Sequence, residues 1–248
     1  MKLLVVDIET TGFNTKKDAI VEIGIVLVDT KTNETKLVFD KVIKDKKFDA
    51  DIHKDCWIFK NTSLTVEDVI NAGTLEDYFD EIQGLFDTYK MTAYNKSFDI
   101  RFLTAAGFKM NDIECLMKAA KKYSNYIYKG KVKTPSVEEI YNQFFVKEGD
   151  PYIEKHRAGV DAIDESKILL HMVYLKHNPP TDREKIILTE TKQKDNANLI
   201  NVDSILNFGK HRGKVFSEVA NIDKGYLWWC LDNIPVFKLT PEAKKLII

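Results

Sequence analysis

The chain has 248 residues, 44% of them hydrophobic and 30% charged, with a formal net charge of −1. That suits one large globular domain with a smaller second one, and it confines any nucleic-acid surface to a local basic patch. Three scattered cysteines, Cys56, Cys115 and Cys230, form no CxxC pair; they speak against a disulfide framework or structural zinc and for a reducing, cytoplasmic setting.

The opening "MKLLVVDIETT" turns acidic too soon for a signal peptide. No stretch approaches the roughly 20 apolar residues of a membrane span, so no membrane partner is expected. Residues 2–7 read as a buried strand, and 19–29 and 34–43 as two more joined by the turn "TKTNET". Apolar residues at helical spacing predict a helix over 74–86, followed by a strand at 90–94. A helix over 96–107 is expected to be capped by Ser97 and stopped by Gly107. Further helices fall at 136–145 and 158–177. A three-strand meander followed by strand–helix alternation predicts an α/β fold with a mixed sheet. "HNPP" ends the last long helix. The polar stretch 189–198 reads as a linker or exposed arm, giving a main domain over 1–177, a linker over 178–198 and a small module over 199–248. Tyr226, Trp228 and Trp229 are read as the core of that module, which is small enough to need docking on the main body or a partner.

"VVDIETTGF" places Asp7 and Glu9 two residues apart on one face of the first strand. Like charges held together repel, so this is either a solvated strand end or a seat for a cation. Asp99 falls in the first turn of the helix after the 90–94 strand. His156 precedes Asp161 by five residues, and Asp161 lies in the first turn of the last long helix. A carboxylate near a helix N-terminus is unremarkable alone, and each short motif is weak. Their joint occurrence in this order is specific.

"DIETTGF", "NKSFDIRFL" and "HRAGVDA" together resemble the 3′–5′ exonucleases named for their Asp, Glu, Asp, Asp and His residues, over about residues 1–176. The resemblance implies a ribonuclease H-like fold: an antiparallel meander, then parallel strands, flanked by helices. "FGKHRGKVFSEVANIDKGYLWWCLDN" (208–233) is similar to the small α+β C-terminal module of exodeoxyribonuclease X-like proteins. One departure is Tyr94 before Asn95, where many relatives carry His.

The resemblance implies a 3′–5′ exodeoxyribonuclease that releases 5′-mononucleotides, with two divalent ions, Mg²⁺ or substituting Mn²⁺, held by Asp7, Glu9, Asp99 and Asp161. Oxygen ligands suit those ions, and four carboxylates need cations to stay ionised together. Asp7 is expected to bridge the ions, and His156 to take the proton of the attacking water. Thr10, Thr11, Gly12 and Phe13 are expected to hold the terminal 3′-hydroxyl and wedge under the last base. Implied partners are single-stranded DNA or duplex 3′ ends, with RNA as the alternative polymer, and a polymerase or replication protein. A catalytically silent module that binds nucleic-acid ends is the other alternative.

"KAAKKYSNYIYKGKVKTP" (118–135) carries six lysines, three tyrosines and no acidic residue. Charge interleaved with rings suits single-stranded nucleic acid, which singles out Lys129, Lys131 and Lys133; a solvated helix and loop is the plainer reading. Lys210, Arg212 and Lys214 alternate along a Gly-punctuated turn that suits phosphate contact or plain solvent. Asp164 is expected to pair with Lys167 or Lys176, His171 to be structural, and "QGLF" (83–86) to face the core.

Overall fold

Residues Lys2–Thr10, Ile20–Asp29 and Glu34–Val42 form β1, β2 and β3, an antiparallel meander. The computed structural model describes residues 1–147, 149–180, 186–188, 200–206, 211, 213–233, 237 and 239–247. Asn33 takes the left-handed turn between β2 and β3 at φ 61°, a conformation asparagine tolerates better than most residues. Short helices α1 (Ala50–His53), α2 (Trp57–Asn61) and α3 (Val66–Ile70) follow, then α4 (Phe79–Thr88), β4 (Lys90–Thr92) and α5 (Lys96–Ala105). β4 lies parallel to β1, giving the sheet order β3-β2-β1-β4. Then come α6 (Leu116–Lys121), the hairpin β5 (Tyr126–Tyr128) and β6 (Lys131–Val132), α7 (Val137–Phe145) and the long α8 (Ala158–His177).

The strand period sets the layers. Leu4, Val6 and Ile8 pack with Ile82, Phe86, Phe102 and Leu103 of α4 and α5. Leu3 and Val5 face the other way, toward Ile168, Leu169 and Met172 of α8. Alternation puts odd-numbered residues of β1 on the α8 side, so Asp7 and Glu9 inherit that orientation from the core residues before them. On β2 the even-numbered Val26 and Val28 share that side.

α8 seats tightly on β2: a Cβ on Gly24 would lie 2.2 Å from the Ala158 carbonyl oxygen. Ser136 starts α7 with a reciprocal capping box to Glu139. The start of α5 corrects an expectation. Asn95, not Ser97, is its first boundary residue, and the Ser97 hydroxyl lies inside the helix and donates to Asn95 Oδ1 at 3.3 Å. The cap falls two residues earlier because the Phe98 N–H already bonds the Asn95 carbonyl. Gly107, at φ 102°, ends the segment as expected.

The chain divides into two compact units, Met1–Ile187 and Leu188–Ile248. The second contains α9 (Phe216–Ile222), α10 (Lys224–Asn233) and α11 (Pro241–Ile247) around Phe216, Val219, Leu227, Cys230 and Ile247. Trp228 is 43% exposed, its indole N–H donating to the Ile247 carbonyl, and Tyr226 packs at the cluster's edge. The side chain of Trp229 and the polar stretch 189–198 lie outside the described residues. No helix among the described residues is long and apolar enough to cross a membrane.

Candidate active site

β4 accompanies β1 only from Leu3 to Val5; after Thr92 the chain leaves the sheet and turns into α5. β1 runs on alone along that edge, and Asp7 and Glu9 lie on the overhang. The α5 first turn brings Asp99 to it, 3% exposed. From the α8 side come Asp161 and, one turn on, Glu165, both buried. The loop before α8 adds Glu154 and His156. These residues share one cleft of about 630 Å³, except Asp161, which is buried beside Glu9 and His156. Ligand atoms of Glu9, His156 and Asp161 all lie within 4.8 Å of one another.

The electrostatics follow from that crowding. Burial first, then the charge of Glu165 and of Glu9, hold the Asp7 carboxyl well above its ordinary range. Glu9 is pushed up to about 9 by burial and by Asp161. Burial lifts Asp99 to about 7, although backbone N–H groups at Asp99 and Ile8 pull it down. Glu154 rises to about 7, and Asp161 and Glu165 also rise, burial leading in each case. Carboxyls so placed keep protons or take up cations. The donor set of carboxylate oxygens plus one imidazole fits a hard divalent ion, so Asp7, Glu9, Asp99 and Asp161, with His156 beside them, are fit to hold divalent metal.

The loop after β1 is locally braced. Thr10 donates to the Gly12 carbonyl at 2.6 Å, and the buried Thr11 hydroxyl accepts the Ala19 N–H at 2.9 Å. A Cβ on Gly12 would meet the Asp18 carboxylate at 2.5 Å. Phe13 projects from this loop 82% exposed, touching only the edge of Phe98 among the aromatic rings described. Across the cleft Trp57, 55% exposed, meets the His156 ring edge-on at 4.8 Å between centroids.

Lys129 and Lys131 stand exposed at the β5–β6 turn, and the Lys129 ammonium lies 5.3 Å from the Tyr128 ring centre. Lys133 is ion-paired with Glu139. Two residues on, Pro135 begins a stretch of cleft wall, fixed by the Tyr94 hydroxyl, which donates to the carbonyls of Pro135 and Ser136. Lys214 is exposed in the second unit, whereas Lys210 and Arg212 lie outside the described residues. Asp164 pairs with Lys167 at 2.7 Å, and His171 packs against Phe144 and Phe145.

Sequence reasoning missed Glu165, Glu154, Trp57 and Glu22. Glu165 carried a usable signal, since four residues beyond Asp161 is the same helix face. The other three carried none that period or charge could isolate.

The sheet is mixed, and its inner strand β1 ends in carboxylates that meet Asp99 and Asp161, each borne on a helix. Residues 4–169 match the family described as "Exonuclease", and 206–234 match "Exodeoxyribonuclease X-like C-terminal". The chain belongs to the exonuclease family. It is 27% identical over 168 residues to the 3′-5′ exonuclease DinG of Staphylococcus epidermidis, a match covering 67% of this chain and only 17% of that protein. The fold resembles the crystal structure of a full-length 3′-exonuclease, with a TM-score of 0.50 at 16% identity, covering 70% of this chain and 60% of that one. It also resembles E. coli Exonuclease I in complex with a dA16 oligonucleotide, with a TM-score of 0.52 at 15% identity, covering 71% and 41%.

Proposed function

We propose that this protein is a 3′–5′ exodeoxyribonuclease that hydrolyses DNA from its 3′ end and releases 5′-mononucleotides. The observation that carries this reading is the convergence of Asp7, Glu9, Asp99 and Asp161 with His156 at the overhanging end of β1. Asp7, Glu9, Asp99 and Asp161 would hold two divalent ions, Mg²⁺ or Mn²⁺, which when bound supply charge neutralisation at the scissile phosphate and acidify water. His156 takes the proton of the attacking water, a task its imidazole nitrogen suits from its place beside Glu9 and Asp161. Phe13 offers an exposed ring to the last base, and the Thr10–Gly12 backbone lies where the 3′-hydroxyl arrives. Residues 1–177 form the catalytic domain, and 199–248 a module that adds nucleic-acid contact.

DNA is preferred to RNA on the match of residues 206–234 to an exodeoxyribonuclease X-like module, because the carboxylates themselves act on either polymer. The test is a time course on 5′-labelled single-stranded DNA, duplex DNA and RNA with Mg²⁺, Mn²⁺ or EDTA. A metal-dependent ladder shortening from the 3′ end, fastest on DNA, is expected. Fastest cleavage of RNA would reverse the polymer assignment, and tight binding with no cleavage would make the protein an end-binding module.

A further inference from the structure

Arg157 follows His156, but its side chain runs away from the cleft and onto β2. Its Nε donates to both oxygens of Glu22 at 3.0 Å and its Nη2 to Oε1 at 2.7 Å. Glu22 is 2% exposed, and its Oε2 also accepts the N–H of Ala158, the first residue of α8, at 3.1 Å. One carboxylate thus grips both the side chain of residue 157 and the backbone of residue 158. From the other side, Asp161 accepts the N–H of Arg157 at 2.9 Å and of Lys155 at 3.3 Å. His156 sits between these fixings at φ 52°, a left-handed conformation that a histidine keeps only where its surroundings impose it.

The remaining arm of Arg157, Nη1, donates to Ser63 Oγ at 2.9 Å. Ser63 lies just beyond α2, the helix that begins with Trp57, whose indole meets the His156 ring. Arg157 therefore ties together the histidine's backbone and the segment that presents the ring beside its imidazole. Neither Glu22 nor Arg157 is among the residues lining the cleft. A buried ion pair is a weak source of net stability, whereas a planar fork bonded on three sides fixes a geometry.

We infer that Glu22, acting through Arg157, is a positioning residue for His156: the pair holds the histidine loop and the Trp57 segment in register with the carboxylates. The inference rests on the reading of His156 as proton acceptor. Loss of an outer partner of this kind costs about 10- to 100-fold in activity, and it costs that only while the group it positions is present.

The test is a double-mutant cycle on kcat, with a 5′-labelled single-stranded oligodeoxynucleotide and Mn²⁺. Glu22→Gln alone is expected to lower kcat about 10- to 100-fold with KM little changed, and Arg157→Lys to do the same because an ammonium cannot bridge both oxygens and Ser63. In a His156→Ala background, Glu22→Gln is expected to cost nothing further. An undiminished loss there, or full activity of Glu22→Gln alone, overturns the inference and leaves the proposed mechanism standing. Full activity of His156→Ala overturns the role of His156 and the inference with it. Should Glu22→Gln fail to fold, Ser63→Ala decides, since it removes a single contact at an exposed site: a several-fold loss that vanishes in the His156→Ala background supports the inference, and no loss overturns it.

Discussion

Glu9 and Glu22 stand directly opposite each other across β1 and β2, a carboxylate facing a carboxylate. Such a cross-strand pair is destabilising unless each charge is answered. The Arg157 guanidinium answers Glu22 within the chain. Glu9 turns instead toward His156 and Asp161, and its carboxyl is held up to about 9. One face of the sheet thus carries a carboxylate whose countercharge is built in and another that awaits one from outside.

Metal should therefore control the pH dependence of stability. In the metal-free protein Glu9 moves from its ordinary 4.5 to about 9, Asp99 from 3.8 to about 7, and Glu154 from 4.5 to about 7. All three are raised, so the folded state binds more protons than the unfolded one across that window, and stability falls as pH rises. We expect Tm in EDTA to decline from about pH 5 to pH 9 and the decline to shrink when Mn²⁺ or Mg²⁺ is added, because metal takes the place of the protons. A Tm in EDTA that climbs over that range would refute the crowding of these carboxyls.

Asp7→Asn should separate activity from stability. It removes one charge from a group in which Asp7 is repelled by Glu165, Glu9, Asp99 and Asp161. Transition-state charge stabilisation of this kind is worth several kcal/mol, and each ~1.4 kcal/mol is a decade, so activity should fall by roughly three decades. Metal-free Tm at pH 8 should rise, with DNA binding retained. Differential scanning fluorimetry beside a single-turnover assay checks both signs; an active Asp7→Asn enzyme would remove Asp7 from the metal site.

What the sequence made legible divides along physical lines. β1 and α8 were readable because an apolar period sets their faces, and Asp7, Glu9 and Asp161 could be placed by counting along those periods. Glu165 obeys the same count, yet a Glu within a charged helix turn reads equally well as part of a solvated face. Trp57 and Glu22 were not readable. Trp57 sits in the apolar run "CWIF", which looks like core, yet its ring stands in the cleft. Glu22 finds its partner 135 residues away, a pairing that only the seating of α8 on β2 creates.

The lysines of the β5–β6 hairpin should differ in kind. Lys131 stands exposed at the turn, whereas Lys133 is committed to Glu139. Each lysine that neutralises a phosphate of single-stranded DNA contributes about 0.7 to the salt slope. Lys131→Gln should flatten that slope by about 0.7, and Lys133→Gln should add little. Fluorescence anisotropy across a salt series reads the slope; an unchanged value for Lys131→Gln would take the hairpin out of the binding path.

Phe13→Ala should leave stability almost untouched, since the ring is 82% exposed and, among the described residues, its one aromatic contact is with Phe98. Affinity is another matter. Base–aromatic stacking is worth about 1–3 kcal/mol per base, so binding of a single-stranded 3′ end should weaken roughly 5- to 150-fold. The same variant should bind an oligonucleotide with a blocked, abasic 3′ end as well as the parent does. An equal loss on both ligands would make Phe13 a general contact and not a wedge under the last base.

Two glycines give opposite expectations from one substitution. In Gly24→Ala the new Cβ would lie 2.2 Å from the Ala158 carbonyl oxygen and 2.5 Å from the Gly159 nitrogen, backbone atoms that cannot swing aside. Overpacking of this kind costs ~1–3 kcal/mol, and relief requires α8 to move off β2, carrying Asp161, Glu165 and the His156 loop with it. Gly84 lies in α4 with nothing within 4 Å of its Cβ position. There alanine gains roughly 0.5–1 kcal/mol of helix propensity. Gly24→Ala should thus lower both Tm and kcat, whereas Gly84→Ala should raise Tm by a few degrees with kcat unchanged. A Gly24→Ala protein with lowered Tm but full kcat would show that the site tolerates displacement of α8, and the close seating of that helix would then serve stability alone.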